Sequence, residues 1–157
     1  MNITIQKDLT AAPDAIWDLL AERFADIGTW ASFLVGSSLD GELTPGSVRT
    51  CNLRTPSAGS DTIEERINRF DRASRKLGYV VIKGMPGFMK LVDNQWAITE
   101  TATGGARVRS DLTVKLAWYA APMAPVIRRQ FTKLISGFID ELEQNAGPAR
   151  GPHIIAA

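Results

Sequence analysis

The longest regular pattern of apolar positions lies near the C-terminus. Met123, Ile127, Phe131, Leu134, Ile135, Phe138, Ile139 and Leu142 recur at gaps of three and four, which predicts one stripe of an α-helix over residues 122–146. Arg128, Arg129, Lys133, Asp140, Glu141 and Glu143 fall mostly outside that stripe. Pro122 and Pro125 suit a first turn, whose N–H groups lack helical partners, and Gly147-Pro148 stops the helix.

Upstream the period is mostly two. Ile3, Ile5, Lys7 and Leu9 alternate with Thr4, Gln6 and Asp8, which predicts a half-buried strand. Ile16, Leu20 and Phe24 then recur every four residues after Pro13, giving a first helix. A second short helical piece, residues 27–30, is capped by Asp26 and broken by Gly28. Strands follow over residues 33–39, 47–54, 61–71, 77–83, 92–103 and 106–118. Residues 55–60 and 84–88 read as breaker-rich loops, and Gly104-Gly105 as a tight hairpin. Consecutive strands with short turns make an antiparallel sheet, and helices at the two ends of the run make the class α+β.

At 157 residues the chain is long enough for a core that needs neither disulfide nor metal. We expect one domain over residues 1–146 and a flexible tail over 147–157. Eighteen basic and 17 acidic residues give a net charge of +1, which offers no field for nucleic acid or for an anionic membrane. No apolar run reaches the ~20 residues of a membrane span. The N-terminus lacks the charge and apolar block of a signal peptide, and Cys51 is the only cysteine, so a cytoplasmic compartment is expected. The only histidine, His153, lies in the tail, which removes histidine nucleophile pairs and histidine metal sites from the domain. No cofactor or metal is expected, and nothing sets an oligomeric state.

Several local stretches carry a likeness beyond this order of elements. They are Ala12-Pro13-Asp14-Ala15-Ile16-Trp17-Asp18-Leu19-Leu20, the piece at 27–30, Gly46-Ser47-Val48-Arg49, and Ile63-Glu64-Glu65-Arg66-Ile67 with Phe70-Asp71 and then Leu77-Gly78-Tyr79. Together, over residues 2–145, they resemble the START-like helix-grip superfamily, also called SRPBCC, in its polyketide cyclase/dehydrase-type branch. The resemblance implies a curved antiparallel sheet of about seven strands wrapped around a long C-terminal helix, with two short helices after strand one. It also implies an apolar cavity between sheet and helix. Members bind lipids, hormones, polyketides and other hydrophobic small molecules, and some are enzymes; the fold does not choose among these.

Glu65 is the sharpest single residue. Alternation sets it on the face of Ile63 and Ile67, where a carboxylate needs a partner or cavity water. It is read either as a polar anchor or acid in the pocket, or as an outward or structurally paired residue. In the abscisic-acid receptors, which this hairpin resembles, the corresponding glutamate lines the hormone cavity. Tyr79, Val81 and Trp96 read as pocket wall or as plain core, and Trp30 and Phe33 stand where the short helix meets the sheet. Met85 and Phe88 sit on a Gly/Pro loop that either closes a cavity mouth or packs under a turn. Leu53, Phe131, Ile135 and Phe138 complete the expected lining. Arg54, Arg66 or Arg109 meets a ligand carboxylate only if turned inward, and Cys51 reads as a buried hydrophobe.

Three functions fit: a carrier of a hydrophobic small molecule, a polyketide cyclase/dehydrase-type enzyme, and a co-chaperone-like interaction module. Catalysis would draw on Glu65 and Tyr79, with Asp111, Lys83 or water beside them.

Overall fold

A computed structural model describes residues 1–57 and 60–147. Strand β1 (Asn2–Leu9) leads into α1 (Pro13–Trp17), followed by a π-helical turn (Asp18–Glu22) and a 3-10 turn (Phe24–Thr29). Then come β2 (Leu34–Leu39), β3 (Val48–Ser57), β4 (Ser60–Asp71), β5 (Lys76–Lys83), β6 (Met89–Glu100) and β7 (Ala106–Leu116). A second 3-10 turn (Trp118–Met123) opens the long helix α2 (Ala124–Ala146). The strands form one antiparallel sheet in the order β1-β7-β6-β5-β4-β3-β2, which wraps α2. This is the helix-grip architecture of the α+β class.

Several boundaries correct the sequence reading. The first helix is not one α-helix. Ile16, Trp17, Leu19, Leu20, Ala21 and Phe24 are all buried, a set too wide for one α-helical face, and the backbone widens into the π turn to bury it. Asp26 caps nothing with its side chain; its carbonyl accepts from Thr29 Oγ1 at 2.7 Å. Gly28 is required by contact: a Cβ there would stand 2.4 Å from the Gly36 carbonyl carbon of β2.

Residues 55–57 and 60 belong to strands, and Ser57 pairs with Ser60; Ala58 and Gly59 lie outside the described residues. Pro56 is tolerated because the β3–β4 register is irregular between Asn52 and Ser57. Strand β6 starts and ends three residues earlier than predicted. The turn between β6 and β7 spans residues 101–105, with Thr101 N–H donating to the Gly105 carbonyl at 2.9 Å. Trp118 leaves the sheet and stands 88% exposed. The expected tail, including His153, lies beyond Gly147 outside the described residues.

The helix closes on the sheet by its C-terminal half. Ile135, Phe138, Ile139 and Leu142 are buried. Around them, Lys7 Nζ reaches Asp140 at 2.7 Å and the Ser136 carbonyl at 3.2 Å. Thr10 donates to Glu143 at 2.6 Å from both N–H and Oγ1, and Ser32 N–H donates to Glu141. The stripe is not buried throughout: Ile127 is buried, but Met123 and Leu134, which share its spacing and were read as core, are exposed. The cavity lies under the middle of α2, lined there by Gln130, Phe131, Leu134, Ile135 and Phe138.

The candidate ligand cavity

A cavity of about 440 Å³ lies between the sheet and α2. Its lining includes ten residues read from the sequence: Phe33, Leu53, Glu65, Tyr79, Val81, Met85, Trp96, Phe131, Ile135 and Phe138. Two others do not line it. Trp30 stacks on Phe138 with ring centroids 5.2 Å apart, behind the wall. Phe88, half-buried, is not in the lining, and its carbonyl accepts from Ala117 N–H at 2.8 Å. Arg54 sits at the rim, with its guanidinium on the Ser32 and Leu34 carbonyls. Arg66 is exposed, and Arg109 is tied to Asp111 at 2.8 Å outside the cavity. Lys83 pairs with Glu64, also outside.

Alternation builds the polar part of the lining. On β4, Ile63, Glu65 and Ile67 point inward, as the sequence pattern requires. Glu65 is directly opposite Arg49 on β3. Arg49 Nε donates to Glu65 Oε2 at 2.8 Å, and Nη2 donates to the same oxygen. Both residues are nearly sealed, at 4% and 6% exposed. Arg49 is a residue the sequence reading passed over as a candidate. The signal was there: Arg49 lies two before Cys51 and four before Leu53, on one strand face.

The Arg49 guanidinium carbon stands 3.4 Å from the centroid of Phe24 and 5.2 Å from that of Tyr79. This is a cation held against two rings. Burial alone would lower the Arg49 pKa; the Glu65 carboxylate reverses that, and the net direction is upward. Arg49 therefore stays charged. Arg49 is among the residues that line the cavity, and its Nη1 is buried with no hydrogen-bond partner among the described residues.

Tyr79 is set by a second network. Ser110 Oγ donates to Asn94 Oδ1 at 2.7 Å, which turns the amide so that Nδ2 faces the Tyr79 hydroxyl at 3.5 Å. Trp96 Nε1 donates to the same hydroxyl at 3.3 Å. The phenol oxygen thus accepts twice, and its own proton goes to no acceptor among the described residues. Asn94 and Ser110 also escaped the sequence reading, although Asn94 lies two before Trp96 on β6. Two donors of these lining residues have no acceptor among the described residues, Arg49 Nη1 and the Tyr79 hydroxyl. The charges of Arg49 and Glu65 sum to zero.

Burial pushes the Cys51 thiol up to about 12, with Arg49 opposing and Glu65 adding. Burial, with Glu65 adding, pushes the Tyr79 phenol up to about 12 as well. In the unfolded chain these groups ionise near ~8.5 and ~10. The folded chain keeps their protons, so their stabilisation is whole below about pH 8.5 and is lost as the pH rises toward 12. Thermal midpoints should therefore fall steadily from pH 8 to 11. Tyr79→Phe should flatten the fall above about pH 10, and Cys51→Ala should flatten it from about pH 9. Unchanged slopes in both variants would assign the alkaline loss to other groups.

Among the described residues no group of three or more His, Cys, Asp or Glu side chains could hold a metal. No described helix is long and apolar enough to cross a membrane.

The fold has clear structural relatives. The crystal structure of Ara h 8.0201 superposes with a TM-score of 0.76 at 13% identity, over 93% of this chain and 97% of that one. A point mutant of Thalictrum norcoclaurine synthase, in complex with a transition-state analogue, superposes with a TM-score of 0.73 at 12% identity, over 93% of each chain. At these identities the likeness is one of fold. A search of the curated proteins found no similar sequence. The family model for polyketide cyclase / dehydrase and lipid transport matches residues 1–147, and the chain belongs to that family.

Proposed function

We propose that this protein binds a hydrophobic small molecule in the cavity between its sheet and α2, with one neutral oxygen of that molecule seated at Arg49 and Tyr79. The observation that carries this is a mainly apolar cavity of about 440 Å³ whose lining includes Arg49, with its buried and unpartnered Nη1, and Tyr79, whose hydroxyl proton meets no acceptor among the described residues. That volume falls within the ~300–1,000 Å³ usual for small-molecule sites. A buried donor without a partner costs ~1–3 kcal/mol, which a ligand acceptor would recover. The acceptor should be a ketone, ester or hydroxyl oxygen. Glu65 already neutralises Arg49, so a carboxylate would bring an uncompensated charge into a sealed site.

The enzymatic reading is second. It would use Tyr79 as a hydrogen-bond donor to a reacting carbonyl, and Tyr79 has a proton to offer. Glu65 is a poor base there, because accepting a proton would strand the Arg49 charge. The interaction-module reading asks for an exposed apolar patch and for no enclosed void; Trp118, Tyr119 and Val126 meet the first demand, and the cavity speaks against the second.

Titration with the neutral dye Nile red, which carries a ring carbonyl, tests the binding reading. Saturable binding with blue-shifted emission is expected. A long-chain methyl ketone should displace it at least tenfold better than the carboxylate of equal length. Arg49→Met/Glu65→Leu, with no charge left, should lose that preference and keep affinity for a plain hydrocarbon. No saturable binding of any apolar probe would end this reading. Turnover of an identified substrate that survives Tyr79→Phe would end the enzymatic one.

A further inference from the structure

The apolar surface missing from the core reappears outside the cavity. Trp118 is 88% exposed, Tyr119 59% and Val126 58%, with Met123 exposed between them. Trp118 and Tyr119 brace each other edge to face at 5.9 Å. Large side chains standing together in water mark a surface that meets something. From Met123, the last residue of the 3-10 turn, Val126, Gln130 and Leu134 of α2 follow at gaps of three and four, so this flank is continuous. Gln130 and Leu134 also line the cavity. The exposed flank therefore runs from the 3-10 turn to the cavity rim.

The net charge of +1 offers an anionic membrane no overall field, and it is the local charge of this face that says what it meets. From Asp111 to Asp140 the chain has no acidic residue, yet it carries Lys115, Arg128, Arg129 and Lys133, all exposed. None of the four joins an ion pair among the described residues; Arg54, Arg66, Arg69, Lys76 and Lys90 are unpaired as well, and what sets these four apart is a stretch of chain with no acidic residue. Helical geometry sets Arg129 and Lys133 beside Val126, three and seven residues on. Exposed Trp and Tyr bordered by unpaired cations match the headgroup layer of an anionic bilayer. A second copy of this chain fits less well, because a symmetric contact would press like charges together.

We propose that the face of Trp118, Tyr119, Met123 and Val126 docks on anionic lipid bilayers, with Arg129 and Lys133 against the headgroups and the cavity rim toward the membrane. This surface stands whatever the cavity holds. Each cation near the surface is worth roughly fivefold in partitioning, so vesicle composition should decide binding.

Co-sedimentation of the full chain with sucrose-loaded vesicles tests this. Vesicles of phosphatidylcholine with 30% phosphatidylglycerol should capture the protein at least tenfold better than pure phosphatidylcholine, and high salt should remove the difference. Trp118→Ala/Tyr119→Ala should lose at least tenfold, and Arg129→Glu/Lys133→Glu should lose the anionic preference. Both variants should melt like the wild type and still bind Nile red, which separates this result from the cavity reading. Absence of capture, or capture indifferent to these substitutions, overturns the proposal. So does self-association by light scattering that Trp118→Ala abolishes, if no vesicle binding accompanies it.

Discussion

Glu65→Leu is expected to destabilise the protein by about 3–5 kcal/mol, lowering its thermal midpoint by on the order of 10 °C. The substitution removes a small, sealed anion and leaves Arg49 buried as an unpaired cation in the cavity lining. That guanidinium cannot shed its charge near neutral pH. The rings of Phe24 and Tyr79 hold it in place and offer only a fraction of the lost attraction. Arg49→Met should also destabilise, because it leaves the buried Glu65 carboxylate without its partner. The double variant Arg49→Met/Glu65→Leu should recover most of the loss, since two apolar side chains of similar bulk leave no stranded charge. Urea melts of the wild type, both single variants and the double variant form a closed cycle, with a coupling of at least 2 kcal/mol as an order-of-magnitude expectation. A Glu65→Leu cost below about 1 kcal/mol would mean that water reaches Arg49, and the neutral-acceptor argument would fall with it.

That pair also shows where the sequence is readable and where it stops. Period-two alternation on β4 was enough to aim Glu65 inward with Ile63 and Ile67. Its partner was not readable in the same way. Arg49 meets Glu65 only through the register of β3 on β4, a pairing across 16 residues of sequence. The face assignment for Cys51 and Leu53 pointed to it, but a strand-end arginine reads as solvated until a register is fixed. The first helix failed differently. A four-residue repeat of Ile16, Leu20 and Phe24 says helix, yet the π and 3-10 turns answer to a buried set wider than any single face. The α2 stripe was right in period and wrong in extent. Met123 and Leu134 satisfy the spacing and remain exposed, because spacing cannot say how far a sheet follows a helix before it leaves. The cavity and the exposed flank are both consequences of that departure.

Phe138→Ala is expected to cost about 3–5 kcal/mol and to enlarge the cavity rather than collapse it. Phe138 is the hinge of the aromatic cluster: its ring stands 5.2 Å from Trp30, 5.9 Å from Phe33 and 5.6 Å from Trp96. It is buried, and it also lines the cavity. In a solid core, neighbours relax into the space left by a deleted ring and recover part of the loss. Here one side of the ring already faces empty space, so Phe33 and Trp96 have nothing to lean on, and the cost should sit at the upper end. A guest should offset part of it. Anything that binds the folded state alone raises stability by RT ln(1 + [L]/Kd), and a larger cavity accepts a larger guest. Saturating Nile red should therefore raise the Phe138→Ala midpoint by at least as much as it raises the wild type. A bulkier apolar ketone should favour the variant. If Phe138→Ala costs under about 1.5 kcal/mol and its midpoint ignores every apolar probe, the helix has closed onto the sheet, and no room is left between them for a ligand.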